Sequence, residues 1–374
     1  MALRQRWSTA GAARPANYVL LVAVIGLLNV IGIVMVLSAS SVSSMTDYGS
    51  AWYFFERQAA WTLVGIVAFV IAARIDYHAW RRLVVPLLVV SVAMLLLVLI
   101  PGIGISVGGS RRWLGAGALR FQPSEIAKLA VLVFSADLLT RREDDLGDWR
   151  RTLKPVGLVF VTVAALVVVE PDLDSTVVLA LIVGAVLVAG GVRLRHLACI
   201  AGVGALVGTI VAIAEPYRRA RIFVFLNPAA DASNTGYQIT QSLIALGSGG
   251  WTGVGLGQGR AKWLFLPNAH TDFIFAIIGE ELGLLGCMLV VLLFVAFAVL
   301  GIRAALHAPD RFGMLLAAGV TAWVVGQAAI NIGGVIGLLP VAGIALPFVS
   351  FGGSALVFTM AASGVLANVA RRAP

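Results

Sequence analysis

The chain has 374 residues, of which 60% are hydrophobic and 12% charged, with a formal net charge of +9. A water-soluble fold of this length could not bury so much apolar surface. The composition therefore excludes a soluble globular protein and indicates one that is embedded in a membrane.

Ten apolar stretches approach the roughly 20 residues that a helix needs to cross a bilayer. The fifth and sixth are separated only by Glu170-Pro171-Asp172-Leu173-Asp174, which is typical of a tight turn between two helices. The sequence predicts an all-α polytopic membrane protein with about ten transmembrane helices, built as one integral membrane domain over residues 1–374. The predicted spans are residues 18–38, 57–73, 84–100, 123–139, 155–169, 174–190, 197–214, 272–301, 312–336 and 348–370.

The distribution of basic residues predicts the orientation, because short cytoplasmic loops retain positive charge. With the N-terminus inside, the inner segments hold 17 of the 27 Lys and Arg residues. The outer loops 39–56, 170–173 and 337–347 hold none. We therefore expect both termini to be cytoplasmic, no cleaved signal peptide, and a large extracytoplasmic loop over residues 215–271, between helices 7 and 8.

Two outer loops break this charge rule. Basic charge outside the membrane opposes the insertion preference, so it indicates an anionic ligand at the outer leaflet. The alternative is a solvated loop face near anionic lipid headgroups. The basic residues are Arg111, Arg112 and Arg120 in loop 101–122, and Arg218, Arg219, Arg221, Arg260 and Lys262 in loop 215–271.

Both loops combine glycines, basic residues and a tryptophan, in Gly108-Gly109-Ser110-Arg111-Arg112-Trp113 and in Gly257-Gln258-Gly259-Arg260-Ala261-Lys262-Trp263. Glycines let backbone N–H groups converge on an anion, and Trp is favoured at the level of lipid headgroups. The pattern would suit a lipid pyrophosphate. The run Gly253-Val254-Gly255-Leu256-Gly257 lacks a surrounding βαβ unit, so we do not expect a nucleotide-binding fold.

Charged residues within the predicted spans are the other candidates, because charge in a bilayer is costly and marks function or a structural pair. Glu125 and Lys128 share one face of the fourth helix and are either an ion pair or substrate contacts. Asp272 begins the eighth helix, where an acid can be a helix cap or a catalytic group. His270 lies beside it, whereas the other histidines fall in inner loops, so no histidine metal site is predicted.

Several long motifs resemble the SEDS family (shape, elongation, division and sporulation) over nearly the whole chain. They are Phe121-Gln122-Pro123-Ser124-Glu125-Ile126-Ala127-Lys128, Glu170-Pro171-Asp172-Leu173, Gly236-Tyr237-Gln238-Ile239-Thr240-Gln241-Ser242, Leu266-Pro267-Asn268-Ala269-His270-Thr271-Asp272-Phe273, Asn331-Ile332-Gly333 and Pro347-Phe348-Val349-Ser350-Phe351-Gly352-Gly353-Ser354.

The resemblance implies a peptidoglycan glycosyltransferase of the cytoplasmic membrane that polymerises lipid II with loss of undecaprenyl pyrophosphate. Asp272 would be the general base, and basic charge would stabilise the departing pyrophosphate. The resemblance leaves open a divalent cation, Mg or Mn, at the pyrophosphate, and implies no other cofactor and no nucleic acid. The implied substrate-binding residues are Arg112, Trp113, Arg120, Glu125, Lys128, Lys262 and His270.

Within the family, Gly255-Leu256-Gly257 and Gly279-Glu280-Glu281 are more similar to the division branch than to the elongation branch. The resemblance therefore implies action at the septum with a class B penicillin-binding protein, a transpeptidase, and other division proteins. Asn268 and Leu264 stand where many relatives carry acids, so no role is transferred to those positions. The alternatives are a lipid II flippase, an elongation-type polymerase, and a scaffold without catalytic activity.

Overall fold

The protein is described by a computed structural model over residues 14–107, 110–116, 119–146, 148–214, 219, 223–225 and 235–373. Arg218, Arg221 and the glycines Gly108 and Gly109 lie outside these residues. The helices, numbered here in chain order, are α1 Arg14–Tyr48, α2 Tyr53–Arg74, α3 Val84–Leu99, α4 Pro123–Arg141, α5 Lys154–Val169, α6 Leu173–Ala189, α7 Leu194–Ala214, α8 Thr235–Ser248, α9 Ile274–Leu306, α10 Arg311–Val335 and α11 Gly353–Arg372.

Each of the ten predicted spans coincides with one of these helices, which confirms a polytopic helical membrane protein. Among the described residues, seven helical stretches are long and apolar enough to cross a membrane, and α6 and α7 are shorter apolar helices. The charged residues of α4 set it apart from these apolar helices. Helix α8 was not predicted, because its short amphipathic stretch lies within the segment that we assigned to the outer loop.

A small sheet in loop 101–122 departs from the all-helical prediction. Its strands are β1 Ile105–Val107, β2 Ser110–Ala116 and β3 Leu119–Phe121, paired antiparallel in the order β1-β2-β3. Successive side chains of a strand point to opposite faces. As a result the neighbours Arg111 and Arg112 separate: the first is exposed and the second is half-buried against the helices.

Helices α10 and α11 form the centre of the bundle. Helix α11 packs along α2, and α10 packs between α6 and α9. Of the most apolar window of α11, 72% is buried inside the protein, against 22% for α2. The central helices therefore contact protein on most sides, whereas α2 leaves most of its surface to lipid.

Helix α9 is broken near its first third. Gly283 has φ 68° and ψ −167°, a conformation open to glycine and strained for other residues. The loop before α9 enters the break: Val254 N and Gly255 N donate to the carbonyls of Glu280 and Glu281. On the other side of the break, Leu284 N and Leu285 N donate to the carbonyls of Gly250 and Trp251. Loop backbone therefore replaces the helical bonds that the break removes.

The segment between α10 and α11, residues 336–352, has no continuous helix and is buried over much of its length. We predicted that the last span begins at residue 348, but α11 begins at Gly353. Backbone groups without helical bonds must find other partners when they are buried. Side chains of the neighbouring helices supply those partners.

Candidate functional site

Three polar side chains hold the extended segment before α11. The Gln327 amide Nε2 donates to Ala345 O at 2.9 Å, and the Asn331 amide Nδ2 donates to Ile344 O at 2.8 Å. Asp174, at the start of α6, accepts from Gly343 N at 2.8 Å. The segment is thus fixed between α6 and α10 by side chains from both helices.

The same amide of Asn331 reaches the predicted catalytic residue. Its Nδ2 also donates to the backbone carbonyl of Asp272 at 2.9 Å. Helix α9 begins at Ile274 with Phe273 as its N-cap, so Asp272 lies one residue outside the capping position. Phe273 occupies the N-cap position, and the side chain of Asp272 is half-buried.

Lys128 of α4 is almost fully buried and forms an ion pair with Glu125, with Nζ 2.8 Å from the carboxylate. Its ammonium also donates to Gln327 Oε1 at 3.2 Å and lies over the Trp323 ring at 4.9 Å from the centroid. The structure thus contains the ion pair, which is one of the two interpretations that the sequence allowed for these residues. Gln327 and Asn331 are one turn apart on α10, a rise of about 6 Å along that helix.

Arg112 approaches this region from the small sheet. Its Nη1 lies 3.8 Å from Asp172 Oδ1, while its Nε has no hydrogen-bond partner in the described part of the chain. Asp172 also accepts from Gln122 Nε2 at 2.5 Å and from Ser124 Oγ at 3.4 Å. We call the groups around Asp172, Lys128 and Asn331 together the polar cluster; it comprises Arg112, Gln122, Glu125, Lys128, Asp172, Gln327, Asn331 and Asp272.

Glu170 lies between α5 and α6 and is fully buried. Neither of its carboxyl oxygens has a hydrogen-bond partner among the residues with described positions. Burial and, secondarily, the charge of Asp172 raise the pKa of Glu170 to about 9, although Arg112 acts in the opposite direction. This carboxyl is therefore neutral at pH 7.

Lys262 occupies a different place from the one predicted. It is buried, and its Nζ lies 2.9 Å from Glu281 Oε1 and donates to Gly257 O at 2.7 Å. Its charge is matched by a carboxylate of the protein itself. The prediction that Lys262 contacts the substrate does not fit this arrangement.

The glycine-rich loop does converge on an anion, but the anion belongs to α9. Gly257 N donates to Glu281 Oε2 at 3.0 Å, and Arg260 N donates to Glu280 Oε1 at 2.7 Å. We therefore correct the prediction that this loop binds a pyrophosphate. We call this set the loop clasp; it comprises Ser38, Gly257, Arg260, Ala261, Lys262, Glu280 and Glu281.

The remaining predicted residues lie around the polar cluster. Arg120 is exposed on β3, and Trp113 is half-buried on β2. The His270 ring packs on Phe54, with ring centroids 4.3 Å apart. Burial lowers the pKa of His270 to about 4, so the ring is neutral at pH 7 and contributes packing rather than charge.

A metal centre was also considered. Within the described ranges, no three His, Cys, Asp or Glu side chains are grouped so that they could hold a metal ion. A divalent cation at this site would therefore need oxygen ligands from the substrate, as Mg often takes from phosphates. We derive no step through such an ion.

The sequence did not identify Asp172, Gln327 and Asn331 as site residues. The sequence indicates Asp172 only as part of a turn between two helices. The predicted outer loop that contains it has no basic residue. Gln327 and Asn331 are amides four residues apart in an apolar helix, and polar groups at such positions signal a functional or bracing role in membrane proteins. That spacing was a usable signal.

Comparison with known proteins gives a consistent assignment. Residues 18–373 match the cell cycle protein family of FtsW, RodA and SpoVE. A Mycobacterium tuberculosis protein named probable peptidoglycan glycosyltransferase FtsW is 43% identical, over 98% of this chain and 72% of its own. The stage V sporulation protein E of Bacillus subtilis is 42% identical, over 94% of this chain and 96% of its own.

Solved structures share the fold. A chain from a peptidoglycan synthase complex that coordinates polymerization and crosslinking superposes with a TM-score of 0.77 at 27% identity, covering 94% of this chain and 96% of its own. The rod shape determining protein RodA of Thermus thermophilus gives a TM-score of 0.70 at 26% identity, covering 94% and 95%.

Proposed function

This chain belongs to the FtsW, RodA and SpoVE family of cell cycle proteins, and we propose that its polar cluster is the centre at which it works as a peptidoglycan glycosyltransferase. The substrate is lipid II, polymerised into glycan strands at the outer face of the membrane. The observation that carries the assignment of the site is the bridge made by α10. Gln327 contacts Lys128 while Asn331 contacts the Asp272 carbonyl, which brings a predicted base and a buried cation to one face of α10.

Asp272 is the proposed general base. Its carboxylate takes the proton from a sugar hydroxyl of the acceptor as that oxygen attacks the anomeric carbon of the donor. The new glycosidic C–O bond forms as the bond from the anomeric carbon to the pyrophosphate breaks, and undecaprenyl pyrophosphate leaves with the electron pair. Asn331 and the extended segment fix the backbone of Asp272, so the base is held in place before substrate binds.

The leaving pyrophosphate gains negative charge, and Arg112, Arg120 and Lys128 are the proposed cations that stabilise it. Arg112 is half-buried, with Nε available, and Arg120 is exposed on the neighbouring strand. Lys128 is compensated by Glu125, so we expect it to polarise the site rather than to bind the anion as a free charge. Trp113 and His270 would line the site.

A flippase is the rival from another class, and the broken helix α9 is a feature that transporters share. In this chain the backbone groups at the break bond to the loop before α9 instead of lining a cavity. That observation favours the enzyme. Purified protein with labelled lipid II separates the readings: glycan polymer supports the enzyme, translocation alone supports a flippase, and neither supports a scaffold.

We propose that both termini are cytoplasmic and that residues 215–271 are outside. Single cysteines at the exposed residues Thr252 and Asp144, in a chain with Cys199 replaced by serine, test this orientation with an impermeant thiol reagent. Thr252→Cys should react in intact spheroplasts and Asp144→Cys only after lysis. The reverse pattern would overturn the topology.

A class B penicillin-binding protein is the proposed partner, and the division septum is the proposed location. The related synthase complex that polymerises and crosslinks peptidoglycan supports a transpeptidase partner. Gly313 and Gly326 of α10 pack inside the protein, because a side chain added at Gly313 would meet Tyr77 and one at Gly326 would meet Leu181, so we do not place the partner at these two positions. Lipid II polymerisation should be faster with the cognate partner than without it, and equal rates would contradict the pairing.

A further inference from the structure

Glu170 is a buried carboxyl that the proposed reaction does not use. It follows the last residue of α5 and is 0% exposed, and no donor of the described chain reaches either oxygen. A buried carboxylate without donors or a paired cation is strongly disfavoured against its neutral form. Position alone therefore favours a protonated Glu170.

The neighbours of Glu170 favour the same state. Asp172 accepts hydrogen bonds from Gln122 and from Ser175 N, and its Oδ1 lies 3.8 Å from Arg112 Nη1. A second negative charge beside Asp172 would be repelled by it. The charged groups that act on the Glu170 carboxyl are Asp172, the N-cap of α6, and Arg112 on β2.

Arg112 is the group on which the charge state of Glu170 acts. It shares one long contact with Asp172, and its Nε has no hydrogen-bond acceptor in the described part of the chain. If Glu170 were ionised, the guanidinium would lie among carboxylates that compete with any incoming anion. If Glu170 keeps its proton, the positive charge of Arg112 is not neutralised by it and can bind the substrate anion.

We propose that Glu170 is a positioning residue which stays protonated at neutral pH and thereby keeps Arg112 available for the pyrophosphate of the donor. This inference rests on the proposed function, since the anion is the lipid pyrophosphate. At alkaline pH Glu170 loses its proton to solvent, and the resulting carboxylate pairs with Arg112. The carboxylate also adds negative charge to the site where the anionic substrate binds. Substrate binding should weaken there.

The test is the pH dependence of lipid II polymerisation by the purified full chain. Because burial raises the pKa of Glu170 to about 9, the wild type should show KM for lipid II rising at least several-fold as pH rises through that value. Glu170→Gln keeps the shape and stays neutral, so it should retain activity near pH 7 and lose this rise in KM. Glu56→Gln, an exposed matched control, should follow the wild type.

A second readout does not depend on activity. Infrared difference spectra of wild type and Glu170→Gln at pH 7 should contain one protonated carboxyl band that belongs to Glu170. That band should titrate away at alkaline pH. An alkaline rise in KM that persists in Glu170→Gln, or the absence of the band, would overturn the proposal. A chain that shows the band but makes no glycan with any variant would instead count against the proposed function.

Discussion

The polar cluster and the loop clasp each bury an ion pair, yet they differ in how far their polar atoms are satisfied. In the loop clasp, each oxygen of Glu280 and Glu281 accepts at least one hydrogen bond. In and beside the polar cluster, Arg112 Nε, Asn331 Oδ1 and both oxygens of Glu170 have no partner within the described residues.

The presence of buried polar atoms without partners therefore distinguishes a functional site from a structural network better than the presence of buried charge does. A fully satisfied network braces the protein, whereas buried polar atoms without partners need an explanation such as a ligand. Both regions looked equally functional in the sequence, because each combines basic residues with glycines or acids. We therefore infer that the loop clasp holds the loop and that the polar cluster carries the chemistry.

Replacing the proposed base should give the largest effect. Asp272→Asn keeps the size of the side chain but cannot take a proton, so polymerisation should fall by about 10²–10⁴-fold. The protein should still insert and unfold at the wild-type temperature. Lipid II turnover and thermal unfolding in detergent measure the two properties.

The exposed substitution Asp144→Asn is the control for Asp272→Asn and should leave both properties unchanged. Near-wild-type turnover by Asp272→Asn would remove the base from the mechanism.

Breaking the loop clasp should cost stability instead. Glu281→Gln leaves the buried Lys262 without its countercharge, and removing one partner of a buried pair costs about 3–5 kcal/mol. We expect a clearly lower unfolding temperature, with turnover per folded molecule largely kept below it. The double variant Lys262→Met with Glu281→Leu should recover part of the loss. A stable but inactive Glu281→Gln would return Lys262 to the substrate site.

The neighbouring arginines of β2 offer a matched comparison. Arg112→Ala removes a charge that faces the polar cluster, and a hydrogen bond to a charged group is worth roughly 1.5–3 kcal/mol, so turnover should fall tenfold or more. Arg111→Ala, on the opposite face of the same strand, should change turnover little. Equal losses of turnover in the two variants would mean that the total charge of the sheet matters, and that the face on which each arginine lies does not.

His270 should give the smallest effect, on stability. Its folded pKa, about 4, lies below its ordinary 6.5, so only the unfolded chain takes up this proton between those values. The stability that depends on a neutral His270 is complete above pH 6.5 and is lost as the pH falls towards 4.

Unfolding temperatures across this pH range should therefore decline less in His270→Gln than in the wild type. The exposed His307→Gln is the control. Identical slopes in the wild type and His270→Gln would show that this ring does not link folding to protons.

Much of the fold could be predicted because hydrophobic length is a local property. Every predicted span contains a helix, and the ion pair of Glu125 and Lys128 is one of the two interpretations that their spacing allowed. The sheet was missed because its strands are short and lie in a glycine-rich loop. The buried course of the segment before α11 was missed because nothing local shows which side chains will satisfy its backbone.

The candidate site was predicted in part for the same reason. The glycine-rich loop was predicted to bind a lipid pyrophosphate, and only the fold shows that its backbone N–H groups donate to Glu280 and Glu281. Arg112 and Arg111 look alike in sequence, and strand geometry alone separates them. Contacts between distant segments, such as Asn331 with Asp272, depend on how helices are arranged and leave no local pattern.

The break at Gly283 divides α9 into two parts that have different contacts. The first part, which follows Asp272, is tied to the loop before α9 through the backbones of Glu280 and Glu281, and the second part belongs to the helical bundle. The loop also carries the exposed rings of Trp251 and Trp263. A partner that binds this loop would therefore shift the first part of α9, which begins next to Asp272. Gly283→Ala, whose added carbon would strike the loop backbone, should reduce stimulation of polymerisation by the partner.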